Sequence, residues 1–231
     1  MINIGIIGYG KMGQAIEKTA LKKGHKIIFK LNSKNKKKLN KKTLSNIDVA
    51  IEFSNPNDAF YNIKMCIKNQ IPVVCGTTGW MDKFNEAKQL CVKYNSSFLY
   101  APNFSIGMNL FFEINNYMSK LMSAKNYKIL IEEKHHKMKK DIPSGTAIKM
   151  QHDIYKYNPE IKEQMKIPIF SKRIGNLKGE HIVKYMSPID EIKISHKAYS
   201  REGFAKGAIL AAEFIKNKQG VFSMTDVIKK L

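Results

Sequence analysis

Short apolar runs alternate with longer amphipathic segments along the first hundred residues. Residues 2–8, "INIGIIG", form a β-branched run that is typical of a buried strand. Residues 14–23 instead carry apolar side chains at helical spacing. Further strand-like runs cover residues 25–31, 47–54, 71–79 and 96–105, and further helical patterns cover residues 57–70 and 81–94. This alternation predicts an α/β fold with a doubly wound parallel sheet.

The pattern changes near Phe104. Residues 106–122 have the pattern of a long amphipathic helix, and residues 126–136 alternate as a half-buried strand does. A helical pattern and three more strand-like runs follow, at residues 145–157, 167–174, 179–186 and 190–199. These elements predict a smaller α+β domain with a mixed or antiparallel sheet that has helices on one face.

The last predicted helix, residues 204–217, is rich in Ala and Gly, which suits close packing against the first domain. We therefore expect one domain from residues 1–104 and 204–231, and a second domain from residues 105–203.

Charge and composition narrow the function classes. The 231 residues are 43% hydrophobic, enough for a substantial core. No apolar run approaches the roughly 20 residues of a membrane span, and the N-terminus lacks the features of a secretory signal. The cysteines Cys66, Cys75 and Cys91 form no C-x-x-C pair, which fits a reducing environment. A cytoplasmic protein without a membrane partner is expected.

The formal net charge of +21 raises the question of nucleic acid. However, the only arginines are Arg173 and Arg201, and arginine is the side chain suited to bidentate base and phosphate contacts. The lysines are spread along the chain rather than clustered with aromatic residues. We therefore expect no nucleic-acid partner, although the positive field favours anionic ligands.

A glycine turn, G-x-G-x-x-G, lies directly between the first predicted strand and the first helix. Gly8 permits the tight turn, Gly10 lets the backbone approach a pyrophosphate, and Gly13 lets the helix pack on the strand. The helix N-terminus then offers N–H groups to the phosphates. The first domain is therefore predicted to be a Rossmann-like dinucleotide-binding domain.

The end of the second predicted strand bears on the choice of nucleotide. NAD-binding folds usually have an acidic residue there, but this chain has Asn32, followed by Ser33 and Lys34. An amide can still bind a ribose hydroxyl, and nearby lysines favour a 2′-phosphate. NADPH is favoured over NADH, and both remain open. "CGTTG" (residues 75–79) and "APNFS" (residues 101–105) follow two further strands, where loops line the ligand crevice of such folds.

The stretch "HHKMKKDIPSGTA", residues 135–147, is the most polar candidate site. A metal site is disfavoured because His135 and His136 are adjacent and face opposite sides of a strand. A nucleic-acid patch and an ordinary solvated turn are alternatives. A fourth possibility is an anion-binding, proton-transferring site. Ser144 would cap a helix whose N-terminus suits a carboxylate, while a histidine and a lysine can move protons.

The same stretch carries a resemblance to a known family. "EEKHHKMKKDIPSGTA" resembles the E-x-H-H-x-x-K-x-D-x-P-S-G-T signature of the dihydrodipicolinate reductase family. The resemblance extends to "GYGKMG", "CGTTG", "APNFSIGMN", "RIGNLKGEH" and "ISHKAYSREGFAKGA", which span most of the chain.

This resemblance implies a reductase of lysine and diaminopimelate biosynthesis that uses NADPH or NADH and acts on a cyclic dicarboxylate. It implies that His135 and Lys139 are catalytic, with the division of labour between them open, and that the second domain binds substrate and builds a homotetramer. Substrate contacts are expected from His136, Gly145 and Thr146. Cofactor contacts are expected from Gly8, Tyr9, Gly10, Lys11, Met12, Gly13, Asn32, Gly76, Thr77, Thr78, Ala101, Pro102, Asn103 and Phe104.

Two other functions are alternatives to this reductase. A different Rossmann dehydrogenase would oxidise an amino acid or diamino acid with NADP. A basic binding protein could keep a reductase fold without its activity, although the intact signature and glycine turn argue against that.

Overall fold

A computed structural model describes residues 1–159 and 166–231. These residues form two compact units. The first unit consists of residues 1–106 and 202–231, and the second of residues 107–201. No helix among the described residues has the length and apolar character needed to cross a membrane.

Six parallel strands form the sheet of the first unit. Along the chain its strands are β1 (Asn3–Ile7), β2 (Lys26–Leu31), β3 (Val49–Glu52), β4 (Val73–Cys75), β5 (Ser97–Tyr100) and β10 (Gly220–Phe222). Across the sheet the order is β10-β5-β4-β3-β1-β2, and every pair of neighbours is parallel. The order reverses after β2, as expected for a doubly wound sheet.

Helices cover both faces of this sheet. They are α1 (Lys11–Lys22), α2 (Lys41–Leu44), α3 (Pro56–Lys68), α4 (Phe84–Lys93), α7 (Glu202–Ile215) and α8 (Met224–Ile228). One buried cluster joins α1 and α7 to the sheet, and a second joins α3 and α4 to its other face. All four residues of β3 are buried, which explains why three of them are apolar. The fourth is acidic.

The predicted close packing of the last long helix is confirmed. A side chain at Gly207 of α7 would collide with the carbonyl oxygen of Phe104. The sequence patterns did not predict β10 and α8, because a three-residue strand and a five-residue helix are too short to show a period. The strand predicted at residues 96–105 covers only Ser97–Tyr100. The lysine-rich connection after β2 holds only a 3₁₀ turn and the four-residue α2.

The second unit contains a mixed four-stranded sheet, as predicted. Its strands are β6 (Lys128–His135), β7 (Ile169–Arg173), β8 (Glu180–Met186) and β9 (Glu191–Lys197), in the order β7-β6-β8-β9. β6 pairs in parallel with β7, and the other two pairs are antiparallel. Residues of α5 (Ile106–Leu121) and α6 (Gly145–Tyr155) pack with the sheet in one buried cluster.

Candidate active site

The three glycines of the turn after β1 have the geometry that a dinucleotide needs. Gly8 has φ +98°, and a Cβ there would collide with the backbone of Phe53. A Cβ on Gly13 would collide with the carbonyl oxygen of Gly8, so helix and strand meet closely. By contrast, a Cβ on Gly10 would have no atom within 4 Å, so its backbone is open to a ligand. Backbone donors beside that open space fit a pyrophosphate.

A cavity of about 280 Å³ lies above this turn. It brings together Gly8, Tyr9, Gly10 and Asn32 of the predicted cofactor residues. Lys11, Met12 and Gly13 do not line it; Lys11 is exposed, Met12 packs against the core, and Gly13 is buried in α1. The remaining lining residues are Ile7, Leu31, Ser33, Lys36, Phe53, Ser54, Asn55, Asp58 and Asn62.

An ion pair in the cavity wall was missed by the sequence reasoning. The Nζ atom of Lys36 lies 2.8 and 2.9 Å from the two carboxylate oxygens of Asp58. This lysine and the Asn55 amide together hold the pKa of Asp58 below its usual range, although burial opposes them. Asn32 makes a local turn, with its side-chain oxygen accepting from the Lys34 amide at 2.9 Å. The acidic group in the wall of this cavity therefore comes from α3 rather than from the end of β2.

The "CGTTG" loop is held by the end of β3. The Thr77 hydroxyl donates to Oε2 of the buried Glu52 at 2.6 Å and accepts from the Ser54 amide at 2.9 Å. That hydroxyl is therefore occupied within the protein, which leaves the backbone of the loop and the exposed Thr78 for a ligand. A Cβ on Gly76 would collide with the Phe53 ring.

The "APNFS" loop follows β5. Ala101 and Phe104 are buried in the core, whereas Pro102 is exposed and the Asn103 side chain accepts from the Ser105 amide at 2.9 Å. The Phe104 ring lies 5.4 Å from the Phe53 ring, centroid to centroid. Phe53 therefore lies beside all three predicted cofactor segments, which are the glycine turn, the "CGTTG" loop and the "APNFS" loop.

In the second unit, sheet register gathers a buried polar group around His135. His135 and Glu133 lie on the buried face of β6, two residues apart. Across the sheet, His135 is paired with Arg173 of β7, and Glu133 is paired with His181 of β8. The Nδ1 atom of His135 is hydrogen-bonded to Glu133, and Arg173 Nη1 donates to the other Glu133 oxygen at 2.9 Å.

The electrostatics of this group favour a charged carboxylate and a neutral imidazole. Burial opposes ionisation of Glu133, but hydrogen bonds from Ser171, Arg173 and His135 outweigh it and hold the pKa of the carboxyl below its usual range. Burial lowers the pKa of His135, although Glu133 opposes that shift. An ionised Glu133 is an acceptor, so His135 Nδ1 carries the proton and Nε2 presents its lone pair.

His181 is a second buried imidazole beside the first. The two rings are 5.0 Å apart and nearly perpendicular. Burial lowers the pKa of His181 to about 3. Ligand atoms of Glu133, His135 and His181 lie within 4.8 Å of one another, a possibility that the adjacent-histidine argument did not consider. However, Arg173 already neutralises Glu133, and a guanidinium beside the carboxylate opposes a cation there.

Lys139 lies in the loop after β6, and Arg173 ties this loop to the sheet. Lys139 Nζ lies 2.8 Å from Asp141 Oδ1. Arg173 donates to the carbonyls of Lys139 and Asp141 at 3.3 and 2.6 Å. The positive charge of Lys139 is also felt at His135, where it lowers the imidazole pKa. His136 is half-buried, and its carbonyl accepts from the Lys139 amide at 3.1 Å.

The "SGT" stretch begins α6, as predicted. Ser144 is the N-cap, and its hydroxyl accepts from the Ala147 amide at 3.2 Å. The same oxygen lies 3.4 Å from His181 Nε2. A Cβ on Gly145 would have no atom within 4 Å, so the first helical turn is open at this point. Thr146 is half-buried beside it. Backbone N–H groups at the exposed start of a helix favour an anion.

Four residues that support the site were given no site role from the sequence: Glu52, Glu133, Arg173 and His181. The signal for Glu133 was available, because two-residue spacing on a strand places it on the face of His135. Arg173 and His181 are the two ends of the "RIGNLKGEH" segment quoted for the family resemblance, but their positions beside Glu133 and His135 follow only from strand register.

The glycine turn on a doubly wound parallel sheet is typical of the nucleotide-binding unit of pyridine-nucleotide-dependent oxidoreductases. Family models described as "Dihydrodipicolinate reductase, N-terminus" and "Dihydrodipicolinate reductase, C-terminus" match residues 2–104 and 107–228. The chain belongs to the dihydrodipicolinate reductase family, which confirms the resemblance.

Individual relatives agree with the family models. The chain is 46% identical, over 240 aligned positions, to a 4-hydroxy-tetrahydrodipicolinate reductase of Christiangramia forsetii, covering 100% of this chain and 99% of the relative. It is 37% identical to an enzyme of the same name from Buchnera aphidicola subsp. Cinara cedri, covering 91% and 81% of the two chains. A dipicolinate-bound dihydrodipicolinate reductase from Paenisporosarcina sp. TG-14 has the same fold, with a TM-score of 0.80, 23% identity and coverage of 98% and 99%.

Proposed function

We propose that the chain reduces 4-hydroxy-tetrahydrodipicolinate to tetrahydrodipicolinate in lysine and diaminopimelate biosynthesis. Loss of water gives dihydrodipicolinate, which then takes up one hydride and one proton. The supporting observation is the buried His135–Glu133–Arg173 arrangement in a chain of this family. Both curated relatives above carry the name of this activity.

The first unit is proposed to hold NADPH in preference to NADH, and the bound nucleotide would supply the hydride. The open backbone at Gly10 and the start of α1 would receive the pyrophosphate. Lys36, in the wall beside Asn32 and Ser33, would meet a 2′-phosphate after leaving Asp58. The backbone of the Gly76–Thr78 loop and residues 101–104 would contact the remainder of the cofactor.

The second unit is proposed to hold the cyclic dicarboxylate. One carboxylate would lie at the N-terminus of α6, on the Gly145 and Thr146 groups. His136 would contact the substrate from the loop after β6. Lys139, whose present partner Asp141 is more exposed, would turn to the substrate and donate the proton. His135 would be the base of the dehydration step, because its Nδ1 is committed to Glu133. It would take the ring proton that is lost with the hydroxyl group and pass it to the departing hydroxide, which leaves as water.

The assembly and location are proposed on the same basis. We infer a homotetramer built through the sheet of the second unit, in the cytoplasm, without nucleic acid, membrane or resident metal. Size-exclusion chromatography with light scattering tests the assembly directly.

The decisive experiment generates substrate with a synthase and follows oxidation of NADPH and NADH side by side. Consumption of both nucleotides, faster with NADPH, is expected. A chain that instead reduces NADP with an amino acid or diamino acid, and ignores the cyclic dicarboxylate, would be the rival dehydrogenase.

A further inference from the structure

Glu52, the last residue of β3, is a completely buried carboxylate. Its two oxygens accept from side chains or backbone of Ser54, Asn62, Cys75 and Thr77. The Thr77 hydroxyl and Cys75 thiol approach Oε2 at 2.6 and 3.2 Å. The Ser54 amide and hydroxyl and the Asn62 amide approach Oε1, the two amides at 3.2 and 3.3 Å. A carboxylate offers only acceptors, which matches this set of donors.

These donors belong to three separate segments. Ser54 is in the turn after β3, Asn62 is in α3, and Cys75 and Thr77 are at the end of β4 and in the loop that follows it. The Glu52 backbone adds another connection, since its carbonyl accepts from the Gly76 amide at 2.9 Å. No ion pair of Glu52 occurs in residues 1–159 and 166–231, so its burial depends on these hydrogen bonds.

Glu52 is also covalently next to Phe53, the side chain around which the glycine turn and the two loops converge. The Phe53 amide donates to the Ile7 carbonyl at 2.8 Å, which fixes it beside the glycine turn. The Glu52 carboxylate and the Phe53 ring therefore lie at the end of β3 where the glycine turn and the two loops of the proposed nucleotide site meet.

We propose that Glu52 is a positioning residue for nucleotide binding, which sets the conformation of the Gly76–Thr78 loop through Thr77. This inference rests on the proposed function, because it concerns the cofactor of that reaction. A catalytic contact is not assigned to Glu52, since Ser54, Asn62, Cys75 and Thr77 surround its carboxylate.

Replacing Glu52 with Gln keeps the shape but turns one acceptor oxygen into a donor NH₂ group. That group then faces either the Thr77 and Cys75 donors or the Ser54 and Asn62 donors. The mismatch leaves buried donors unsatisfied and releases part of the loop. Glu52→Asp keeps both acceptor oxygens on a shorter side chain. It should restore part of the NADPH affinity that Glu52→Gln loses.

The test is isothermal titration of the full chain with NADPH and NADH, alongside steady-state kinetics. Glu52→Gln should weaken NADPH binding roughly tenfold or more, the scale of a lost charged hydrogen bond. KM for the dicarboxylate should change less than twofold. Glu86→Gln, an exposed glutamate of α4, is the matched control and should bind as wild type does.

A folded Glu52→Gln variant with wild-type nucleotide affinity overturns the proposal, as does an Asp variant that binds no better than the Gln variant. Should Glu52→Gln fail to fold, Thr77→Val and Thr77→Ser decide instead. Loss of the hydroxyl in Val should weaken NADPH binding more than Ser does, and equal affinities for the two variants overturn the proposal. Wild-type protein that binds neither nucleotide would instead refute the proposed function.

Discussion

The Nδ1 atom of His135 is hydrogen-bonded to the carboxylate of Glu133, which has no exposed surface. The two residues share the buried face of β6, and Arg173 neutralises the carboxylate from the neighbouring strand. The pairing fixes which nitrogen of the imidazole remains for chemistry. A Cβ on Gly179, which has φ +151°, would lie only 3.2 Å from that nitrogen, Nε2, so a larger residue would crowd it.

Glu133→Gln should reduce kcat roughly 10- to 100-fold, because the imidazole loses its fixed orientation and partner. The carboxylate raises the pKa of His135, so its removal lowers that pKa further. Because the proposed mechanism uses the neutral imidazole, the acid limb of kcat/KM should move to lower pH. Glu132→Gln is the control; it faces the other side of β6 and pairs with Lys184 at 2.7 Å. An unmoved acid limb in a folded Glu133→Gln variant contradicts the assignment.

Lys139→Ala should lower kcat about 10²-fold or more, the usual scale of a lost acid–base group. Nucleotide affinity should stay as in wild type, because Lys139 lies in the second unit. Stopped-flow turnover and nucleotide titration separate the two effects. Its neighbour Lys140 is exposed and serves as the control. Undiminished turnover in Lys139→Ala would remove this lysine from the mechanism.

Gly10→Ala and Gly13→Ala should fail in different ways. A Cβ at Gly10 meets open space and the residue has φ −92°, so the variant should fold and melt as wild type does but bind NADPH poorly. A Cβ at Gly13 collides with the Gly8 carbonyl, so that variant should lose thermal stability. Melting curves and NADPH titration of both variants check the distinction. Normal NADPH affinity in Gly10→Ala would count against a pyrophosphate at this turn.

Asp58→Asn should shift the cofactor preference further toward NADPH. The change removes a negative charge and releases Lys36 from a pair at 2.8 Å. Because the pair is partly exposed, a modest effect of roughly two- to fivefold on KM for NADPH is expected, with KM for NADH nearly constant. Asp82→Asn, an exposed carboxylate outside the cavity lining, is the comparison. Equal changes in KM for the two nucleotides would show that Lys36 does not bind the 2′-phosphate.

His181 should make the protein less stable in mild acid. Its pKa is about 3 in the folded chain against an ordinary 6.5, so between these values only the unfolded chain binds the proton. The free energy of unfolding therefore falls as pH drops below 6.5, by at most about 1.4 kcal/mol per unit. Urea melts at pH 7 and pH 5 should differ less in His181→Gln than in wild type. His152→Gln, an exposed substitution on α6, should retain the wild-type difference.

The sequence was most informative where periodicity or a local motif decides the structure. The glycine turn needs only neighbours along the chain, and the alternation of β6 predicts its half-buried strand. The N-cap role of Ser144 follows in the same way from the residues around it. Such features depend on local conformation, which the residues themselves encode.

Features that depend on register between distant strands could not be read in this way. Arg173 and His181 reach the site because β7 and β8 lie on either side of β6, and no local pattern states that order. Glu52 was visible as an acid in an apolar strand, but its partners on α3 and β4 were not. The pairing of Lys36 with Asp58 likewise joins residues 22 positions apart.

The last strand of the first unit has a consequence for biosynthesis of the chain. β10 pairs with β5 through Gly220–Ser97, Val221–Phe98 and Phe222–Leu99, yet residues 107–201 are made between the two strands. While the ribosome is still translating that intervening segment, β5 has an unpaired edge and the core lacks α7. A nascent chain at that stage presents the kind of sheet edge that recruits chaperones or other strands. Completion of the nucleotide-binding sheet therefore waits until the segment of the second unit has been synthesised.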